Sequence, residues 1–222
     1  TFHAQALSQL RHFWPLFHDG APLPDLLESK APLLAPLVRA LPMPHRFTPT
    51  KDVADEIEWA KSRSLTPATY ETAVTGTARI PVRRPPIPMD QFLGIFAAYE
   101  RAKDRSGRID FDDMLLRTID ILRDSPEAAE AVRARKRWFS VDEYQDTNPL
   151  QQSLLDLWLG DRSDVCVVGD EDQTIYTFTG ATSEFLTGFA DRYAGAKVIE
   201  LLDNYRSSPE ILALANNLLA ST

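Results

Sequence analysis

The chain has 222 residues, 44% of them apolar and 25% charged, which allows one large domain or two small ones with a real core and excludes collagen, coiled-coil and disulfide-scaffold classes. Twenty-four basic against 32 acidic residues leave a net charge of -8, so bulk positive charge does not hold nucleic acid here and any such contact must be local. The single cysteine, Cys166, permits no disulfide within the chain and fits a reducing cytoplasm. It lies in the run Val165-Cys166-Val167-Val168 and is expected as a small buried hydrophobe. There is no secretory signal pattern at the start and no apolar run near the roughly 18 to 20 residues of a bilayer span, so a soluble, unanchored chain is expected.

Thirteen of the sixteen prolines lie in the first 88 residues, which predicts short helices and links there. Residues 2–14 read as a helix with Ala6, Leu7, Leu10 and Phe13/Trp14 on one side, stopped by Pro15. Thr48-Pro49 opens another, in which Val53, Ile57 and Ala60 share a face. Residues 81–88, with Arg83-Arg84 among prolines, read as an extended connector and the best boundary. His3, His12, His18 and His45 have no metal-ligand spacing. From Met89 an amphipathic helix carries Phe92, Ile95, Phe96 and Tyr99. A second runs through Phe111, Leu115, Ile119 and Leu122, with Asp110, Asp112 and Asp113 at the positive end of its dipole.

The rhythm then alternates. Short apolar strands are predicted at residues 138–141, 165–168 and 198–201, and helices at 150–159, 185–193 and 209–219. Such alternation argues an α/β fold with a parallel sheet covered on both faces, where chemistry gathers at the carboxyl ends of strands.

Two strand ends carry acids. The first strand runs into Asp142-Glu143-Tyr144-Gln145-Asp146, the placement an NTPase uses to hold Mg²⁺ and to activate water, and the second ends in Gly169-Asp170-Glu171-Asp172-Gln173. A single such acid is more often a loop residue or a helix cap. Two tips in one sheet favour a site. Tyr176 and Phe178 follow in a loop ending Gly180-Ala181, either as rings that stack on bases or as the edge of a half-buried strand. Asn204-Tyr205-Arg206-Ser207-Ser208-Pro209 precedes a helix, where Arg206 could reach a transferring phosphoryl group and Tyr205 a purine; an ordinary capped helix start reads equally well.

Together, VDEYQDTNPLQ (141–151), VVGDEDQTIYTFTGA (167–181) and LLDNYRSSPEIL (201–212) resemble motifs II, III and IV of the UvrD/Rep/PcrA family of superfamily 1 DNA helicases, in order and at the family's spacing. Thr1-Phe2-His3-Ala4 resembles the motif that opens these helicases' 1B insertion, and residues 109–115 resemble the helix that returns to the motor domain. Tyr176-Thr177-Phe178-Thr179, Phe13-Trp14-Pro15 and Glu58-Trp59-Ala60-Lys61 look most like the actinobacterial branch.

The resemblance implies an ATP-driven 3′-to-5′ translocase on single-stranded DNA and at single-strand/duplex junctions, working in repair or replication, with other repair proteins as candidate partners. It implies a RecA-like P-loop NTPase sheet with a helical insertion: residues 1–105 as the 1B-like insertion, 106–195 as the later part of domain 1A and 196–222 as the start of domain 2A. For the nucleotide it implies ATP and Mg²⁺, with Asp142 as metal ligand, Glu143 as base and Gln173 near the γ-phosphate. Tyr205 would lie on adenine and Arg206 on the γ-phosphate, while Gln145 and Asp146 link the nucleotide site to motif III. For DNA it implies Thr1 and His3 at the backbone and Tyr176 and Phe178 at bases. Where relatives usually carry Trp this chain has Phe178, and where they carry arginines it has Thr177 and Thr179. No Gly-x-x-x-x-Gly-Lys-Ser/Thr phosphate loop occurs in the 222 residues, so an internal, catalytically silent fragment of a helicase is expected.

Two alternatives remain open on the residues: a two-metal nuclease built on Asp142, Glu143, Asp170 and Asp172, and a non-catalytic module that docks DNA or a partner. The acidic excess belongs to the second half. The first half supplies Arg11, Arg46, Lys51, Lys61, Arg63, Arg79, Arg83 and Arg84, a few of which could track phosphates.

Overall fold

The computed structural model describes residues 1–76 and 83–219. Arg79 and the first two residues of the expected connector lie outside them.

Helix α1 (Phe2–Phe17) is capped by Thr1, whose hydroxyl accepts the Ala4 N–H at 3.2 Å. It runs through Pro15 rather than stopping before it, and ends where the His18 ring stacks on Trp14 and lies 3.0 Å from the Trp14 carbonyl oxygen. A two-residue strand β1 (Asp25–Leu26) follows, then α2 (Ala31–Arg39), α3 (Thr50–Lys61), α4 (Tyr70–Gly76) and α5 (Met89–Arg105). Strand β2 (Arg108–Ile109) pairs parallel with β1, Asp25 opposite Arg108 and Leu26 opposite Ile109.

Helix α6 (Phe111–Asp124) opens on a reciprocal cap: Asp110 Oδ1 accepts the Asp113 N–H at 2.9 Å and Asp113 Oδ2 accepts the Asp110 N–H at 3.0 Å. After α7 (Pro126–Arg135) comes β3 (Phe139–Val141). Helix α8 (Pro149–Leu159) then starts on an Asn148/Gln151 capping box with Pro149 in its first turn, and leads to β4 (Val165–Val167). The two strands are parallel, with Ser140 opposite Cys166.

The expected helix over 185–193 is broken at Gly188 into α9 (Glu184–Thr187) and α10 (Phe189–Arg192). The third strand expected at 198–201 is not formed: the segment pairs with no strand among the described residues, and Val198, Ile199 and Leu201 are exposed. Without a neighbouring ladder an apolar run has no reason to hold strand geometry. The last element is α11 (Pro209–Leu219). The fold is mixed α/β, with short parallel pairs and many helices.

Two hydrophobic cores form. One gathers α2 to α5 around Leu34, Val53, Ile57, Tyr70, Phe92 and Tyr99. The other joins α1 to α6, α7 and α8 around Leu10, Phe13, Leu115, Ile119, Leu154 and Leu155, with Val141 and Val167 packed against it. Within the second, the Trp158 ring lies parallel to Phe2 on one element and Phe139 on another, at centroid separations of 5.7 and 5.8 Å. Residues 1–105 thus contribute to both cores, because α1 packs with the later helices.

Cys166 corrects another expectation. Strand alternation turns Val165 and Val167 toward the core and leaves Cys166, like Ser140 opposite it, exposed on the other face. No helix among the described residues is long and apolar enough to cross a membrane.

Candidate functional site

The site begins where β3 ends. Glu143 turns the chain with φ 52° and ψ 44°, a left-handed conformation uncommon for a residue with a side chain, and the Asp142 carboxylate accepts its N–H at 3.0 Å. From there a hydrogen-bonded series crosses to the neighbouring strand tip. Gln145, almost fully buried, donates from Nε2 to Glu143 Oε2 at 2.7 Å and accepts the Asp170 N–H on Oε1 at 3.1 Å. Asp170 in turn accepts from Gln173 Nε2 at 2.7 Å. Gly169 is required beside it, since a Cβ there would stand 2.5 Å from Gln145 Oε1.

Past Gln145, the Thr147 carbonyl accepts the Thr182 N–H at 3.2 Å, and Asp146 has its Oδ1 buried without a hydrogen-bond partner among the described residues. Burial, with Glu143 adding to it, raises its carboxyl above the usual range, while the backbone N–H groups of Ile175 and Tyr176 favour the charged form. The tips of β3 and β4 are therefore bonded to each other through Gln145, and the segment after β3 to the far end of the aromatic turn through Thr147.

Asp142 is exposed with one carboxylate oxygen engaged, and it offers the hard oxygen that a divalent ion takes. The residues present fit a single Mg²⁺ at that tip. The two-metal alternative is not assembled: Asp170 uses one oxygen on the Asp172 N–H and the other on Gln173. Among the described residues, no group of three or more His, Cys, Asp or Glu is arranged to hold a metal.

Tyr205 and Arg206 are not brought to these strand tips. Tyr205 is 93% exposed, and the Asn204 side chain accepts the backbone N–H groups of Arg206 and Ser207, both at 2.9 Å, in a local turn before α11. Ile211, Leu214 and Leu218 of that helix are themselves exposed.

A groove of about 610 Å³ lies beside the strand tips, lined by His3, Lys30, Lys51, Asp112, Asp146, Asn148, Gln151 and Tyr176 among others. His3 packs edge-on against Phe111 with centroids 5.8 Å apart. Burial, helped by Lys30 and opposed by Asp112, lowers its pKa, so the ring is neutral near pH 7. Tyr176 precedes, and Phe178 sits within, a short 3-10 turn, Thr177–Thr179, rather than a strand edge. Lys51 Nζ lies 5.1 Å from the centre of the Phe178 ring. Of the four residues expected at DNA, His3 and Tyr176 line the groove, Phe178 stands beside the lining residue Lys51, and Thr1 is committed to capping α1. Asp142, Gln173 and Arg206 do not line it.

One large electrostatic feature went unread in the sequence. Lys61 and Lys103, both nearly fully buried, converge on Asp110 and Asp113 at the start of α6. Lys61 Nζ lies 2.7 Å from Asp110 and 2.6 Å from Asp113, and Lys103 Nζ lies 3.2 Å from Asp110. Tyr99 Oη donates to Asp110 at 2.8 Å. Lys61 is therefore unavailable to phosphates, which corrects its place among the surface cations. Its only local signal was a lysine ending an apolar helix face. Arg83, another of that group, is paired with Glu56. Arg63 is half-buried, and burial beside Arg83 lowers its pKa to about 10, so it stays charged at neutral pH.

The sequence profile described as the UvrD/REP helicase N-terminal domain matches residues 1–194. The chain belongs to the UvrD/REP helicase family. Its UvrD/REP relatives include the ATP-dependent DNA helicase UvrD2 of Mycobacterium tuberculosis (strain H37Rv), 41% identical over 224 residues that take in all of this chain and 31% of the relative. DNA helicase II of Escherichia coli (strain K12) is 32% identical over 225 residues, 99% of this chain and 29% of the relative. The ATP-dependent DNA helicase PcrA of Staphylococcus epidermidis (strain RP62A) is 38% identical over 125 residues, 56% of this chain and 17% of the relative. The chain spans about a third of the length of the first two relatives.

Proposed function

We propose that this chain is the part of an ATP-dependent, 3′-to-5′ single-stranded DNA helicase that couples nucleotide hydrolysis to DNA contact, and that it is silent by itself because it carries no phosphate loop. The observation that supports this reading is the bonded series from Glu143 through Gln145 and Asp170 to Gln173, with Thr147 accepting the Thr182 N–H just beyond the turn bearing Tyr176. It joins two strand tips of the kind at which NTPases work to rings of the kind that stack on bases.

In this reading β3 and β4 belong to a RecA-like domain 1A, the α2 to α5 group is the helical insertion, and residues 196–222 begin domain 2A. Asp142 would hold Mg²⁺, which when bound neutralises phosphate charge. Glu143 orients the hydrolytic water and takes its proton, and Gln145 fixes the Glu143 carboxylate for that purpose. Gln173, held by Asp170, would report on the γ-phosphate, while Tyr205 and Arg206 would close on adenine and γ-phosphate from the other side. His3, Tyr176 and Phe178 would contact single-stranded DNA along the groove, and Thr1 would keep α1 in register beneath them.

The test is ATP turnover with and without single-stranded DNA, measured on this 222-residue chain and on the full-length protein. DNA-stimulated turnover is expected only from the full-length protein. Turnover by the chain alone, or none by the full-length protein with DNA present, counts against it.

A further inference from the structure

Helix α3 and the aromatic turn are fastened to each other by a cationic clamp. Arg83 donates from Nε to both carboxylate oxygens of the buried Glu56, at 2.8 and 3.0 Å. The same guanidinium lies 4.5 Å from the Trp59 ring centre, and Arg63 lies 4.1 Å from that ring. Held in this way, Arg83 extends Nη2 to within 3.3 Å of the Phe178 carbonyl oxygen, 95 residues away in the chain.

The turn is seated closely. A Cβ on Gly180 would meet Ser62 Oγ at 2.1 Å and Arg63 Nη1 at 2.8 Å, and φ there is +106°. Lys51, at the other end of α3, covers the Phe178 ring. Contacts from both ends of one helix therefore bear on five residues that are otherwise an exposed turn.

We propose that Arg83, set by Glu56 and Trp59, is a positioning residue that fixes the 176–180 turn against the helical lobe, so that the lobe dictates where Tyr176 stands in the groove and Phe178 beside it. The functional half of this inference rests on reading the groove as the DNA site. Rings already ordered lose less conformational freedom when a base stacks on them, so the clamp acts on DNA affinity and not on the hydrolytic step. Only the arginine fork reaches the carboxylate and the carbonyl together; a lysine presents a single point charge.

The test uses the full-length protein with Arg83→Gln, Arg83→Lys and Lys51→Ala, the last on a side chain 72% exposed. The first readout is chymotrypsin cleavage after Tyr176 and Phe178, mapped by mass spectrometry without DNA or ATP. The second is the oligothymidylate concentration giving half-maximal stimulation of ATP hydrolysis, set against kcat at saturating DNA. Both Arg83 variants are expected to accelerate cleavage at the two sites about fivefold and to raise the half-maximal DNA concentration by a similar factor, with kcat within about twofold. Lys51→Ala is expected to accelerate cleavage by less, and because Lys51 itself lines the groove, its cleavage readout alone decides the matter should an Arg83 variant fail to melt cooperatively. Wild-type cleavage and DNA response in folded variants, or full rescue by Arg83→Lys, overturns the proposal. Absence of any DNA response in the unmodified protein would sink the DNA reading while leaving the cleavage test of the clamp intact.

Discussion

Lys61 and Asp110, 49 residues apart in the chain, meet at 2.7 and 2.8 Å with both side chains buried where the two cores adjoin. Lys61 closes α3 in one core, and Asp110 caps α6 in the other. With Lys103, Asp113 and Tyr99 they form a hydrogen-bonded cluster, which Glu100 joins by ion pairs to both lysines, and such clusters contribute most when a member is removed.

Replacing Asp110 by Ala should therefore destabilise the chain by about 3 to 5 kcal/mol, since two buried ammonium groups lose a shared partner and α6 loses its cap. Urea unfolding of the variant beside the unmodified chain measures this. A loss below about 1 kcal/mol would show that the cluster is neutral to folding.

The same cluster sets a pH window. Burial alone would raise the Asp110 carboxyl, but Lys61 and Lys103 overcome it and hold the group well below the usual carboxylate range. A depressed folded pKa means stability that is present above the unfolded value, near 3.9, and lost as pH falls toward the folded value. Lys61, raised against the opposing effect of burial chiefly by Asp110 and Asp113, contributes below the unfolded lysine value near 10.4 and loses that contribution only as pH rises past it. Stability measured from pH 3 to 10 should be flat in the middle and steeper at the acid end for the unmodified chain than for Asp110→Ala.

Gln145→Ala removes the link between the strand tips and leaves the Asp170 N–H without its acceptor. A stability loss of about 1 to 3 kcal/mol is expected, with faster hydrogen exchange at the Asp170 amide as the local signature. Unchanged exchange there would argue that the crossing bond is not formed in solution.

In the full-length protein, Glu143→Gln should lower the rate of ATP hydrolysis by a factor of about 10² to 10⁴ while ATP affinity stays near its original value, because only the proton acceptor is lost. Single-turnover hydrolysis and equilibrium nucleotide binding separate the two effects. An equal loss in both would move Glu143 from water activation to nucleotide binding.

Tyr176→Ala should weaken single-stranded DNA binding by about 1 to 3 kcal/mol, the contribution of one stacked base. The salt dependence should be unchanged, since no phosphate contact is removed. Fluorescence titrations with oligothymidylate at two salt concentrations measure both quantities. A shallower salt slope with little loss of affinity would mean that the ring does not meet a base.

Local chemistry was legible in the sequence. The acids at the start of α6 sit within a turn of the backbone groups they cap, and those after β3 and β4 follow directly from short apolar strands. The failures lay where an apolar run was taken to imply burial. Cys166 and residues 198–201 have strand-like neighbours, yet a strand face or a strand edge is covered only if another element arrives to cover it.

By itself, then, the sequence determined where α1, α3, α5, α6, α8 and α11 begin, though not α2, α4 or α7, together with the two acidic strand tips and the order of motifs that places the chain in its family, because those depend on residues within a turn or two of each other. Tertiary structure alone decided that Lys61 and Lys103 are buried on Asp110, that α1 packs with the later helices, and that Arg83 reaches the Phe178 carbonyl across 95 residues. The physical reason is that a charged side chain looks the same in sequence whether it ends in water or on a buried partner. Only the packing of distant faces removes the water and fixes which of the two it becomes.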